Sequence, residues 1–267
     1  MRGVELDIGC PHLDGIHANE SVDKQVDNFL GRCQGVKKIV DACNIPVIVK
    51  MSADTGGEWG PIIQYLREIG VGGVTVHNRF VGFLPDVETQ HPFLDTWSGV
   101  GGPWVVPITC YRINQVRKLD RNMPILATNG CYDGLDVVRF MLAGASIVQC
   151  ASAPLILGPN WVRKTLQEFQ AYLDRKDMDA ADLIGKASDS ALTRDQLFDI
   201  HRISQVNHEQ CVRCGICVER CPWEALSLQD GVVTVKPAAE GRHEGCIGCG
   251  MCTMVCPKQA IQVVDRP

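Results

Sequence analysis

Short apolar runs alternate along this chain with longer stretches whose apolar residues recur every three to four positions. Val4-Glu5-Leu6-Asp7-Ile8 has the two-residue period of a strand, and residues 23–43 have the helical period. Val47-Ile48-Val49-Lys50 reads as a strand after Pro46. Residues 61–69 read as a helix with proline in its first turn and Gly70 at its end. Gly73-Val74-Thr75-Val76-His77 is the next strand, and a long loop is expected to about Thr109. Helices over 110–119, 134–143 and 160–173 then alternate with strands over 124–128 and 146–150. Five apolar strands joined by helical crossovers predict an α/β fold with a parallel sheet. This part is expected to span residues 1–175. Polar helical turns over 176–204 read as a linker packed on it.

Composition narrows the class. With 45% apolar and 21% charged residues, the chain of 267 is an ordinary globular protein. Its net charge of −5 argues against nucleic acid as a partner. The longest uncharged stretch, residues 140–162, is broken by Gly144, Pro154, Gly158 and Pro159, so no membrane span is expected. Six of the 14 cysteines (Cys10, Cys33, Cys43, Cys110, Cys131, Cys150) are scattered, as in a reduced cytoplasmic protein.

The other eight cysteines form one pattern, twice. Cys211-x2-Cys214-x2-Cys217-x3-Cys221-Pro222 recurs 35 residues later as Cys246-x2-Cys249-x2-Cys252-x3-Cys256-Pro257. Gly215 and Gly250 allow the backbone close to inorganic sulfur, and the prolines turn the chain away. Two structural zinc ions would use paired CxxC units but leave the third and fourth cysteines of each run unexplained. Disulfides suit a secreted chain, and no signal peptide is visible. The run resembles that of bacterial ferredoxins, which implies a small α+β domain over residues 205–267 with two [4Fe-4S] clusters. In such runs the fourth cysteine ligates the other run's cluster. Cys211, Cys214, Cys217 and Cys256 would then hold one cluster, and Cys246, Cys249, Cys252 and Cys221 the other.

The first 175 residues carry a second resemblance. Glu5-Leu6-Asp7-Ile8-Gly9-Cys10-Pro11-His12 resembles the E-L-N-L-S-C-P-N/H signature of the dihydroorotate and dihydropyrimidine dehydrogenase superfamily, the His form being that of the dihydropyrimidine branch. Ile45 to Ser52, Gly73 to Asn78, Gly101-Gly102, Pro124 to Gly130 and Gly144 to Ala153 resemble its later motifs, in order. The resemblance implies a TIM-type FMN-binding barrel. A whole (β/α)8 barrel takes about 250 residues, so this one is expected to be partial, lacking its first strands.

By resemblance, FMN would be held by Lys50, Gly101, Gly102, Asn129, Gly130, Cys131, Cys150, Ala151 and Ser152, with the phosphate on backbone amides after the last two strands. Cys10 would be the general acid or base beside the flavin, His12 its relay or a substrate ligand, and Lys50 the cation near the flavin ring. By residue type alone, Cys10 also reads as a small buried side chain and Lys50 as a lysine reaching out of a strand end. Asp7, Asn78 and Arg79 would face the substrate. Asp7 and Arg79 depart from the family's Asn and Thr, and Asn129 from its Gly. Arg79 with His77 would suit an anionic substrate.

The function implied is an iron–sulfur flavoprotein oxidoreductase that passes electrons between two clusters and FMN and reduces or oxidises a carbon–carbon double bond. The alternative is a non-catalytic electron-transfer subunit of a larger complex. Expected partners are a small-molecule substrate, a polypeptide or N-terminal segment completing the barrel, and an electron donor or acceptor subunit carrying FAD or NAD(P). No dinucleotide fingerprint lies in this chain.

Overall fold

The computed structural model describes residues 3–9, 22–53, 59–191, 202–238 and 245–265, with backbone alone for 22–30. The chain divides into two compact units, Met1–Ala191 and Leu192–Pro267.

In the first unit, β1 (Val4–Asp7), β2 (Val47–Lys50), β3 (Gly73–Thr75), β6 (Ile125–Ala127) and β7 (Ile147–Val148) form one parallel sheet in that order. The crossovers are α1 (Val22–Ala42), α2 (Trp59–Glu68), α3 (Val106–Leu119) and α4 (Gly134–Ala143). Strand alternation gives the sheet two unlike faces. Val47, Val49, Met51, Val74, Val76, Ile125 and Ala127 point outward into the core, against Cys33 and Val36 of α1, Ile113 and Val116 of α3, and Phe140 of α4. Helix α2 buries Trp59, Ile62, Ile63 and Leu66, the i, i+3, i+4, i+7 stripe of an amphipathic helix.

The inner face carries the sheet's polar side chains beside Ile48, Leu126 and Ile147. The registers Asp7↔Lys50 and Lys50↔Thr75 put these three side chains, with Glu5, on it. The Glu5 carboxylate accepts from the Thr75 hydroxyl and, at 2.8 Å, from the Gln149 amide just after β7. Outermost strands β1 and β7 are thus tied across the concave side, and the sheet is an arc of a barrel. Among the described residues the arc stays open, with Ile147 on the inner face 51% exposed.

Four features differ from expectation. The long loop carries a hairpin, β4 (Phe80–Gly82) with β5 (Ser98–Val100), whose three-residue strands are too short to show a period. Helix α3 starts at Val106, four residues before Cys110, because Pro107 is tolerated in a first turn. An added helix, α5 (Ser152–Leu157), accommodates Pro154 in the same way, and α6 (Trp161–Lys176) follows. The fourth difference is at the linker's end. Arg202, Ile203 and Ser204 belong to β8 (Arg202–Val206) of the second unit, whose partner β11 (Ile261–Asp265) lies too far along the sequence for a local pattern to reveal it. At the linker's start, α7 (Lys186–Asp189) packs with the first unit, where Ser188 donates to the Ala143 carbonyl.

The second unit repeats itself. Its short helices α8 (Ile216–Glu219) and α9 (Met251–Val255) follow the left-handed Gly215 and Gly250. Left-handed backbone recurs at Arg213 and Gly248, and at Glu224 and Gln259, always 35 residues apart. The hairpin β9 (Leu226–Gln229) and β10 (Val232–Val235) covers one half, and β8 with β11 the other. Among the described residues, no helix is long and apolar enough to cross a membrane. Replacing the fully buried Phe140 by Ala is expected to destabilise the first unit by about 3–5 kcal/mol. Leu155→Ala, at an exposed position, should stay within about 0.5 kcal/mol. Urea unfolding followed by circular dichroism measures both.

Candidate functional site

The parallel strands deliver their last residues to one end, where barrel sites lie. A cavity of about 700 Å3 opens there, lined by Lys50 at the end of β2, His77, Asn78 and Arg79 after β3, and Gly101 and Gly102 after β5. Asn129, Gly130 and Cys131 after β6, and Cys150, Ala151 and Ser152 after β7, also line it. Each residue expected to hold FMN therefore faces this one cavity. Asp7 joins them through Asn78, whose amide nitrogen donates to the Asp7 carboxylate at 2.7 and 2.9 Å and to the Gly9 carbonyl at 3.0 Å. Lys50 Nζ lies 4.0 Å from Asp7 Oδ2. The expected Cys10 and His12 fall outside the described residues. The chain reaches them from Gly9, where a Cβ would meet the Ser52 nitrogen at 2.3 Å.

The cavity wall is a close backbone cradle. A Cβ on Gly101 would meet Asn129 Oδ1 at 2.3 Å. Asn129 itself takes φ 72°, a left-handed conformation that Asn tolerates better than most residues, so it does the work of the family's Gly. Gly130 has φ 103°, with Val106 at the start of α3 and the Gly102 carbonyl beside its missing Cβ. With two cations on the rim and glycine-lined backbone at the strand ends, the lining fits a bulky anionic cofactor such as FMN.

His77 is a correction to the sequence reading. It is fully buried, and burial, with Arg112 and Lys50 nearby, holds its pKa below the usual value. It is therefore neutral rather than a cation for an anionic substrate. Its Nδ1 meets the Asn78 carbonyl at 2.6 Å, and its Nε2 lies 3.0 Å from the Thr109 hydroxyl, which also reaches the Asn129 carbonyl at 2.9 Å. His77 and Thr109 thus couple the loops after β3 and β6. Arg79 is exposed and rests on the hairpin, donating to the Gly99 carbonyl at 3.4 Å. The hydrogen bond between Cys131 and Cys150 pushes the Cys131 thiol up, with burial adding to it, and holds Cys150 down.

In the second unit, Cys211, Cys214, Cys217 and Cys256 line one pocket with Val233, Pro257 and Ile261. This is the crossed set expected for the first cluster, three thiols from one run and the last from the other. Cys246 and Cys252 meet at Ser204, whose amide donates to Cys246 Sγ at 3.3 Å and whose hydroxyl lies 3.0 Å from Cys252 Sγ. The fourth cysteine of each run accepts an amide four residues on, Ala225 to Cys221 at 3.4 Å and Ala260 to Cys256 at 3.3 Å. Four thiols on one pocket fit a cubane in the first half, and in the second Cys246 and Cys252 are brought together at Ser204.

Family comparison agrees with this geometry. Residues 2–173 match the model of the dihydroorotate dehydrogenase family. The chain belongs to that family. Residues 196–261 match the 4Fe-4S dicluster domain, so the family barrel, which binds FMN, is here joined to a domain for two [4Fe-4S] clusters. Similar relatives include dihydroorotate dehydrogenase A (fumarate) of Limosilactobacillus reuteri, 30% identical over 57% of this chain and 48% of the relative. The catalytic subunit of dihydroorotate dehydrogenase B (NAD(+)) of Methanocaldococcus jannaschii is 29% identical over 69% of this chain and 58% of the relative. The chain thus spans about half to three-fifths of the curated relatives it matches. A crystal structure of DHODH from Eimeria tenella in complex with ferulenol superposes with a TM-score of 0.55 at 18% identity, covering 69% of this chain and 54% of that one. That likeness carries the fold, a TIM-type barrel.

Sequence reasoning gave no role to Glu5, Gln149, Thr109 or Ser204. Glu5 had a signal: a carboxylate inside a strand of a sheet expected to be covered on both faces needs a partner. Ser204 had none, since nothing marked it as strand. The crossed ligand set predicts that Cys256→Ala removes the cluster held by Cys211, Cys214 and Cys217. The Cys246 cluster should remain, leaving about four of eight irons per chain. Iron analysis with EPR of the reduced protein checks this.

Proposed function

We propose that this chain is an iron–sulfur flavoprotein oxidoreductase, or the catalytic part of one, acting on a carbon–carbon double bond of a small cyclic or anionic substrate. The convergence of Lys50, Asn78, Arg79 and the Gly101–Asn129–Gly130 cradle on one cavity carries the reading. FMN, when bound, exchanges single electrons with iron–sulfur clusters and electron pairs with carbon. Lys50 is positioned by β2 to favour negative charge on the ring. Cys10, one residue beyond the Gly9 that sits against Met51, Ser52 and Asn78, moves the proton at the substrate carbon. Asn78 spends its amide donors on Asp7 and Gly9, so this pair presents acceptors only. Lys50 and Arg79 are then the donors for substrate oxygens, a set that suits a carboxylate better than a pyrimidine edge.

A second reading has its own observation. Among the described residues the inner face is open and β1 and β7 are edge strands, which favours a complementary segment or polypeptide that completes the barrel. In that assembly this chain could serve as the electron-transfer part, with FAD or NAD(P) on another subunit. Cys10→Ala separates the two readings. Catalysis here predicts a loss of roughly 100-fold or more in turnover with flavin and iron contents unchanged. Unchanged turnover of the native assembly makes the chain an electron carrier. Lys50→Ala is expected to lower turnover by a comparable factor while leaving about eight irons per chain. Flavin, iron and polypeptide stoichiometry, measured without oxygen, is the common control.

A further inference from the structure

The cysteine runs are alike, but what covers them is not. In the first half Val233 of β10 pairs with Leu228 of β9. In the second half Ser204 of β8 pairs with Val263 of β11. Leu228 and Val263 are 35 residues apart, so Val233 and Ser204 pair with equivalent positions of the repeat. Val233 is buried and lines the pocket of Cys211, Cys214, Cys217 and Cys256 with a side chain that cannot donate. Ser204 is equally buried, and both its amide and its hydroxyl meet thiols of the other run, Cys246 and Cys252. The hydroxyl also lies 3.5 Å from Cys246 Sγ. When both sulfurs are iron ligands they carry no proton, so the hydroxyl must be the donor. The amides of Ala225 and Ala260 are matched between halves and cancel.

We propose that Ser204 sets the two clusters apart, raising the reduction potential of the one held by Cys246, Cys249, Cys252 and Cys221 so that it takes the first electron. Reduction adds a negative charge that spreads onto the sulfurs, and a buried donor stabilises that charge more than the oxidised form. The opposing feature is Lys258, which lines the first pocket, but its side chain is exposed and its field is screened. The inference rests on the two clusters and not on the flavin chemistry proposed above.

The test is an EPR-monitored dithionite titration of the full chain, loaded anaerobically, with iron counted per chain. Two one-electron steps are expected. Ser204→Val should move the higher step down by roughly tenfold in electron partition, about 59 mV for one electron, and leave the lower step in place. Ser204→Thr keeps a hydroxyl and should keep the step. Val233→Ser should raise the lower step. With about eight irons retained, an unmoved higher step, a shift of the lower step, or a Thr variant that behaves like Val overturns the proposal. Iron loss from the Ser204→Val and Ser204→Thr variants alike also overturns it, since it makes the position a packing one. Flavin content and turnover, read separately, report on the proposed function.

Discussion

The Glu5 carboxylate holds the first unit in its working shape. It sits on β1, at one edge of the sheet, and bonds to Thr75 at the centre and Gln149 beyond the other edge. A parallel sheet's hydrogen bonds fix neighbours but not overall curvature. A side chain that reaches across the concave side does fix it. A half-buried carboxylate needs such donors, and removing them leaves an acceptor partly unsatisfied. The curvature in turn aims the strand ends inward. Lys50, Asn78, Asn129 and Cys150 come from four strands and share a cavity only because the sheet is an arc.

The outer face was legible in the sequence for a simple reason. The core positions of β2, β3 and β6 are aliphatic at every second residue, and α2 repeats the helical stripe, so local periodicity and tertiary burial agree. The candidate site was legible through its motifs, which mark strand ends. What stayed hidden was whatever depends on distant chain segments. The hairpin of β4 and β5 exists because Gly82 lets Val100 approach, a cross-strand fact with no period to betray it. His77 looked like a cation because residue type says nothing of burial. Its environment makes it a neutral spacer between loops.

The Asp7 substitution shows how one departure reorganises a site. The family's Asn would offer a donor and an acceptor. Asp7 accepts from the Asn78 amide nitrogen, which also donates to the Gly9 carbonyl, and stands 4.0 Å from Lys50. That ion pair is partly exposed and worth about 1 kcal/mol or less, so it orients more than it stabilises. Its effect is on what remains available: acceptors at the strand ends of β1 and β3, and cations at β2 and Arg79.

The second unit makes the complementary point, that a symmetric motif need not give symmetric chemistry. Arg213 and Gly248 hold the same left-handed place in the two runs, yet only the second must be Gly. A Cβ there would strike Arg202 of β8 at 2.4 Å, with its backbone at 3.0 Å. In the first half the cover is β10, folded back from β9 through Asp230 and Gly231, and Arg213 lies over that turn with room for a long side chain. The same strand that demands glycine at 248 brings Ser204 to Cys246 and Cys252. Both asymmetries therefore have one origin: β8 comes from outside the duplicated segment, so its residues are free of the repeat and can differ where the cysteines cannot.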